Sequence, residues 1–215
     1  MSLTLFYDLM LASGQTLYMV VLSTLFAVIL GLPLGTLLFS SAEVKPHPML
    51  NRFISGVINF SRSIPFIILL VALIPVTRLL VGTSIGINAA IVPLTLGATP
   101  FFARLVDNVY RNLPTGLIET GFAMGATSWQ MIRLILLPEA LPALIQSITV
   151  TAITLVNYSA MAGTVGGGGL GDLAIRYGYQ RFNLFVMIVT VLILVVIVQL
   201  IQVGGDRLAK HYLHT

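Results

Sequence analysis

The sequence contains no cysteine and very few charged residues. Asp, Glu, Lys and Arg together make up only 8% of its 215 residues. The absence of cysteine excludes disulfides and cysteine-ligated metal sites. Soluble domains carry about 25% charged residues, whereas 57% of this chain is hydrophobic. The composition therefore predicts an integral membrane protein.

Motifs for ATP hydrolysis and for ion coupling are also missing from the sequence. No GxxxxGK[ST] motif occurs, and the two lysines, Lys45 and Lys210, follow no glycine-rich turn, so we expect no P-loop. No proton-relay residue is evident inside the apolar runs, where ion-coupled carriers usually keep one. His47, His211 and His214 lie in polar flanks and form no ligand cluster. We therefore expect no enzymatic activity, bound cofactor or metal in this chain.

Five apolar runs are candidates for membrane-spanning helices, each of which needs about 20 residues. They are predicted over residues 17–39, 58–78, 87–106, 143–163 and 184–203, within a domain over 13–205 that is followed by a tail over 206–215. The N-terminal residues lack a basic region and a small-residue cleavage site, so we expect no cleavable signal.

The second span is the least regular of the five. Only 15 residues separate Arg62 from Arg78, so the helix must extend backwards past Arg62. An arginine at or inside the membrane boundary either snorkels to the surface or meets a partner. In the first span, the spacing of Gly31 and Gly35 favours the close approach of another helix, unless two of the nineteen glycines fall there by chance.

The positions of Lys and Arg predict how the spans are oriented. With Arg62 left out, seven basic residues lie on one side of the five spans and three on the other. The richer side faces the cytoplasm. This places the N-terminus outside the cell and the C-terminus in the cytoplasm. Asp107, near the cytoplasmic end of the third span, lies three residues from Arg104 and four from Arg111, a spacing that favours ion pairs.

The segment 115–138 is an amphipathic stretch between two apolar spans. Thr127 or Ser128 is placed to cap a second short helix, and Pro138 and Pro142 are expected to interrupt the chain before the fourth span. Its apolar patch consists of Leu117, Ile118, Phe122, Ala123 and Met124, with glycines at close-approach positions 121 and 125. These residues leave two alternatives, a docking helix for a partner protein and a helix lying on the lipid headgroups.

The spacing within this segment matches a known loop. Glu119, Gly125, Ile135, Leu137 and Pro138 follow the pattern E-x5-G-x9-I-x-L-P, which resembles the EAA loop of the membrane subunits of binding-protein-dependent ABC importers. The two alanines that name the loop are replaced here by threonine and glycine, which are also small. The resemblance implies an all-α integral membrane protein with the type I ABC importer permease fold, five transmembrane helices and a cytoplasmic coupling helix.

In that family the coupling helix inserts into a cleft on a separate ATP-hydrolysing subunit. The resemblance therefore assigns to an ATPase interface the residues Glu119, Gly121, Ala123, Met124, Gly125, Ala126 and Pro138. ATP and Mg would be held by the partner, and closure of the ATPase pair would drive alternating access in the spans.

Two further stretches narrow the resemblance. RSIPFIILLVALIPVTRLLVGTSIG, residues 62–86, and NYSAMAGTVGGGGLGDLAIRYGYQRF, residues 157–182, resemble the permeases of the methionine importer group. The resemblance implies transport of D- and L-methionine and close analogues. The implied partners are a second copy of the chain, two cytoplasmic ABC ATPases, a periplasmic or lipid-anchored methionine-binding protein and the lipid bilayer, but no nucleic acid. A permease for polar amino acids and a non-transporting membrane scaffold remain the alternative functions.

Residues near the outer end of the fourth span are candidates for the solute pathway. Tyr158 and Met161 are three residues apart and share a helix face, and a thioether beside an aromatic ring suits an apolar side chain. With Ser159 they form a predicted gate, for which plain helix packing is the alternative. Gly166, Gly167, Gly168 and Gly169 are predicted to form either a periplasmic loop that moves during opening or a flexible turn.

Overall fold

The computed structural model describes residues 3–213, with the side chains of residues 3 and 213 left out, and this part of the chain is mainly helical. The helices are α1 Leu3–Phe39, α2 Pro48–Ser63, α3 Phe66–Ala72, α4 Ile74–Val81, α5 Ile87–Arg111, α6 Gly116–Ala123, α7 Ser128–Gln130, α8 Leu137–Gly163, α9 Gly169–Leu173 and α10 Leu184–Leu213. Three π-helical segments, Ser40–Val44, Met131–Leu136 and Ala174–Tyr179, extend α1, join α7 to α8 and follow α9.

Four helical stretches within residues 3–213 are long and apolar enough to cross a membrane. They are Thr4–Val44, Ile87–Arg111, Ser128–Gly163 and Leu184–Tyr212. The bent pair α2 and α3 makes a fifth crossing if it is counted as one span. The helices corresponding to the first, third, fourth and fifth predicted spans extend beyond the predicted ranges. α10 continues through most of the predicted tail, whose residues 214–215 lie outside the described residues.

The predicted second span, 58–78, is wrong as a single helix. The chain bends by 100° between α2 and α3, where Ile64 is extended at φ −83° and ψ 124°. The following residue is Pro65, and the ring of a proline disfavours helical dihedrals in the residue before it. Both sides of the bend are apolar, so hydropathy does not distinguish this broken crossing from a continuous one.

The expected interruption at Pro138 and Pro142 is also wrong. The chain is helical without a break from Ser128 to Gly163. Pro138 stands in the first turn of α8, directly after the π-helical segment Met131–Leu136, and Pro142 lies inside α8. A π-helical segment is a local widening of the helix, so the chain accommodates this region by widening the helix instead of ending it.

α1 and α5 pack closely at the two glycines predicted to permit a close approach. A Cβ atom added to Gly31 would lie 2.9 Å from Phe102 Cδ1, and one added to Gly35 would lie 2.6 Å from Val106 Cβ. Either contact is too short for a real side chain, so both glycines are required for this packing. The prediction of close helix approach at these positions is confirmed.

The helices run alternately between two ends of the bundle. At the α6 end, Phe39 of α1, Tyr110 of α5 and Leu136 before α8 belong to one buried cluster. At the α9 end, the backbone N–H groups of Gly169 and Leu170 donate to the side chains of Gln15 and Thr16 in α1. The N-terminal part of α1 therefore lies at the end opposite α6.

Candidate functional site

α6 ends in a left-handed turn at Gly125, which has a φ of 80°. Ala126 N–H donates to Gly121 O at 3.0 Å and Gly125 N–H donates to Phe122 O at 2.9 Å. This is the Schellman pattern, which favours glycine at the left-handed residue. No described neighbouring atom lies within 4 Å of a Cβ added to Gly125. Gly125 is therefore required for the backbone turn, and the space beside it is open within this chain.

Gly121 provides the close approach instead. A Cβ atom at this position would overlap the methyl group of Met131 and lie 2.8 Å from Ile135 Cδ1. α6 therefore lies directly on the π-helical segment that leads into α8. Because Gly121 has no side chain, it permits this contact, through which α6 packs against the segment that leads into the long helix α8.

The outer surface of α6 and the turn presents large apolar side chains. Met124 is 82% exposed, Trp129 is 67% exposed and Phe122 is 40% exposed. Ile118 instead packs against the buried cluster at the α6 end, so the predicted apolar patch is divided between two faces. Sequence reasoning did not assign Trp129 to the site, although it is the only tryptophan in the chain and lies inside the predicted coupling segment.

The remaining residues assigned to the interface lie around this surface. Glu119, Ala123 and Pro138 are exposed and Ala126 is half-buried. The helix after the turn begins with a capping box at Thr127, in which Gln130 N–H donates to Thr127 Oγ1 at 3.3 Å and Thr127 N–H donates to Gln130 Oε1 at 2.8 Å. Of the two predicted capping residues, Thr127 is the one that caps the helix.

An ion-pair network lies beneath the α6 surface. The carboxylate of Asp107 is buried and pairs with Arg104 Nη1 at 3.1 Å and Arg111 Nε at 3.1 Å, as the helical spacing predicted. Arg111 Nη1 also pairs with Glu43 Oε1 at 3.2 Å, which links the end of α1 to the end of α5. A cavity of about 190 Å³ between these residues is also lined by Ile118 of α6.

The glycine loop at the α9 end is attached to its surroundings. Gly166, Gly168 and Gly169 have φ values of 85°, 79° and 75°. Gly169 N–H donates to Gln15 Oε1 at 3.0 Å, and Gly86 N–H donates to Gly166 O at 2.9 Å. The glycines therefore allow a specific chain path against α1 and the start of α5, which a simple flexible turn would not require.

An ion pair lies beside the glycine loop. Arg176 donates to both carboxylate oxygens of Asp172, at 2.8 and 2.6 Å. These hydrogen bonds raise the pKa of Arg176 above its ordinary value. The pair fixes the segment after α9 to α9 itself.

The three predicted gate residues have different surroundings. The ring of Tyr158 stacks on Phe66 of α3, with ring centroids 4.2 Å apart and an interplanar angle of 3°. Met161 is exposed, whereas Ser159 is buried and donates to Val156 O at 2.7 Å. Met161 is therefore accessible and Tyr158 is half-buried, but the structure does not bring the hydroxyl of Ser159 to the surface beside them.

A cavity of about 120 Å³ adjoins Tyr158 and the bend between α2 and α3. Its lining includes Arg62, Phe66 and Tyr158, together with Gly97 and Phe101 from α5. Sequence reasoning identified Arg62 only as a costly residue at a membrane boundary, because the cavity depends on which helices surround the bend.

Comparison with protein families identifies the group to which the chain is related. Residues 27–212 match the family described as binding-protein-dependent transport system inner membrane component. The chain belongs to this family. It is therefore an inner membrane component of a transport system, and the predicted all-α integral membrane fold of a type I importer permease is confirmed.

Individual relatives match over much of the family domain. The chain is 53% identical over 210 residues to the probable D-methionine transport system permease protein MetI of Vibrio cholerae, covering 96% of this chain and 93% of that protein. It is 54% identical over 151 residues to the D-methionine transport system permease protein MetI of Escherichia coli strain K12, covering 69% of this chain and 70% of that protein.

Two solved structures have the same fold as this chain. A chain from the inward facing conformations of the MetNI methionine ABC transporter superposes with a TM-score of 0.97 at 50% identity, covering 99% of both chains. A chain from an amino acid ABC transporter crystallised with histidines superposes with a TM-score of 0.79 at 17% identity, covering 96% of this chain and 94% of that one. The second similarity concerns the fold alone.

Proposed function

We propose that this chain is the permease subunit of an ATP-driven importer that moves methionine across the inner membrane. The observation that supports this most strongly is the similarity to the MetNI methionine transporter, at 50% identity over 99% of both chains. D- and L-methionine and close analogues pass through the spans by alternating access. The chain itself is not an enzyme, and ATP and Mg bind to a separate ATPase subunit.

α6 and the turn at Gly125 dock on this ATPase. The proposal is supported by the exposed side chains of Phe122, Met124 and Trp129, which give a partner an apolar surface to bury. It is also supported by the contact of Gly121 with the π-helical segment before α8. A force applied to α6 is transmitted through this contact to α8, which lines the cavity at Tyr158.

The complete importer contains two copies of this chain, two ATPase subunits and a periplasmic or lipid-anchored methionine-binding protein. The binding protein docks at the α9 end, and the α6 end faces the cytoplasm, with the N-terminus periplasmic and the C-terminus cytoplasmic. The excess of basic residues at and near the α6 end supports this orientation. The dependence of the family on binding proteins supports the third component.

Transport by the reconstituted complex tests this function. The chain is co-expressed with the ABC ATPase that accompanies it in its native membrane. The complex is incorporated into proteoliposomes with the binding protein and assayed for ATP-dependent uptake of labelled methionine, glutamine and histidine. We expect methionine uptake that requires ATP. Uptake of the polar amino acids without methionine would favour the polar permease, and failure of an ATPase to co-purify would favour the scaffold.

A further inference from the structure

Arg62 lies level with the middle of the predicted membrane-spanning helix α5. It stands in the last turn of α2 and lines the same cavity as Gly97 and Phe101, which are near the middle of α5. At a rise of about 1.5 Å per residue, both residues lie at least about 15 Å from either end of α5, and about 15 Å is half the thickness of a typical hydrocarbon core. Arg62 is therefore at the C-terminal end of α2, but it is level with the interior of α5 and not with either end of that helix.

Within residues 3–213, the side chain of Arg62 has no ion-pair or hydrogen-bond partner. The ion pairs among these residues involve Arg104, Arg111 and Arg176. A charged side chain at this depth is costly, and such residues face a water-filled path or an anionic group. Arg62 is an exposed residue, and its side chain is therefore available to an anion in the solute pathway.

The other side of the cavity is apolar and well ordered by packing. Phe66 is stacked on Tyr158, and a Cβ atom at Gly97 would lie 3.3 Å from both Phe66 Cδ2 and Leu69 Cδ2. The ring of Phe66 therefore sits close against α5 at Gly97, where a larger residue would have to displace it slightly. A cation at one side and stacked rings at the other match the two parts of an amino acid that has a carboxylate and an apolar side chain.

The bend between α2 and α3 creates this arrangement. Non-helical backbone at membrane depth is tolerated where it lines a cavity, and broken helices commonly form the midplane sites of transporters. Here Pro65 separates the residue with the charge, Arg62, from the residue with the ring, Phe66, and turns the two helices by 100°. Both side chains consequently line one cavity.

We propose that Arg62 binds the α-carboxylate of the amino acid during its passage through the membrane, and that the stacked rings of Phe66 and Tyr158 contact its side chain. A guanidinium binds a carboxylate through two parallel N–H···O bonds, and a thioether packs well against an aromatic ring. This inference rests on the proposed transport function and adds to it a substrate site within the permease.

Equilibrium binding of labelled methionine to the permease–ATPase complex in nanodiscs, without the binding protein, tests the site. Arg62→Gln is expected to weaken binding about tenfold, as expected for a hydrogen-bonded charged pair. Arg62→Lys retains the charge but loses the planar fork, so an intermediate loss is expected. Arg52→Gln is the matched control, because Arg52 is an exposed arginine on the same helix outside the cavity, and its affinity should equal that of the wild type.

A competition experiment on the wild-type complex needs no variant. Methionine amide, which lacks the carboxylate, should compete about tenfold more weakly than unlabelled methionine, and Arg62→Gln should abolish this difference. Equal competition in the wild type, no methionine binding to the wild type, or unchanged affinity in Arg62→Gln would overturn the site. Methionine uptake by the same complex in proteoliposomes separates the two proposals. If the complex takes up methionine but shows none of the expected differences in binding, the site at Arg62 is rejected and the transport function stands. If it takes up no methionine, both proposals are rejected.

Discussion

The two ends of the bundle both depend on glycine, but they use it for opposite purposes. At the α6 end, Gly121 and Gly125 shape a short helix whose large side chains face outwards. At the α9 end, the backbone N–H groups of Gly169 and Leu170 are bonded to α1, so the loop is held by the bundle. One end therefore presents an exposed side-chain surface, whereas the other holds its backbone in a fixed path.

The largest effect is expected at Gly121. Gly121→Leu would overlap Met131 and Ile135, and overpacking of this kind costs about 1–3 kcal/mol. Displacement of α6 should reduce the amount of ATPase that co-purifies with the chain by about tenfold. Gly116→Leu is the control, because no described neighbouring atom lies within 4 Å of a Cβ there. Equal ATPase recovery from the two variants would show that the packing of α6 does not govern docking.

The second effect concerns the α9 end. A Cβ atom at Gly169 would lie 2.7 Å from Thr16 Oγ1, and the residue has a φ of 75°, so Gly169→Ala should destabilise the chain by about 1–3 kcal/mol. We expect a lower midpoint in thermal unfolding with unchanged ATPase recovery. Gly14→Ala in α1, where the space is open, should match the wild type. Loss of ATPase recovery with normal unfolding would reverse the roles of the two ends.

A smaller effect is expected at Gly125, where only the backbone conformation is demanding. Gly125→Ala should weaken ATPase binding by about fivefold, because a left-handed residue other than glycine costs about 1 kcal/mol. Gly125→Asn should weaken it less, since asparagine tolerates this conformation. Affinity measured by titration of detergent-solubilised subunits distinguishes the two. If Gly125→Asn bound the ATPase more weakly than Gly125→Ala, the size of the side chain, and not φ, would limit docking.

The smallest effect is expected for the exposed ion pair between Glu43 and Arg111. Glu43→Gln should lower the free energy of unfolding by less than about 1 kcal/mol, because exposed pairs contribute little. Asp107→Asn provides the contrast, since its buried carboxylate pairs with two arginines and its loss should cost more. Denaturation of both variants in the same detergent ranks their losses in the free energy of unfolding. Equal losses for the two variants would contradict the prediction.

Local spacing predicted the features that depend on one helix or one pair of helices. The ion pairs of Asp107 follow from residues three and four apart, and the close packing at Gly31 and Gly35 follows from their small size. The sequence placed the helix cap at Thr127 or Ser128, and the structure selects Thr127. Five crossings also follow from the lengths of the apolar runs, provided that the bent pair is counted as one.

Features that depend on three-dimensional neighbours were not predictable in this way. The hydropathy of the chain is nearly the same before and after Pro65. Hydropathy therefore predicts neither the bend nor the position of Arg62 in a cavity. The role of Gly121 depends on its contact with a neighbouring segment, and the role of Gly125 depends on its φ angle. The residue type alone specifies neither of these. Pro138 looked like a helix breaker, but the π-helical segment before it lets the helix continue.

Site-directed cross-linking tests most directly whether α6 is the surface that meets the ATPase. Because the chain has no cysteine, a single introduced thiol is the only cross-linking site on the permease. Met124→Cys, at a position where the side chain is 82% exposed, and Phe182→Cys, where it is 90% exposed near the α9 end, are compared in membranes containing the assembled importer and a reagent that joins a maleimide, for the introduced thiol, to a photoreactive group, for the partner. If α6 docks on the ATPase, a permease–ATPase adduct is expected from Met124→Cys and none from Phe182→Cys. An adduct from Phe182→Cys, or none from Met124→Cys in a complex that retains ATP-dependent methionine uptake, would contradict it.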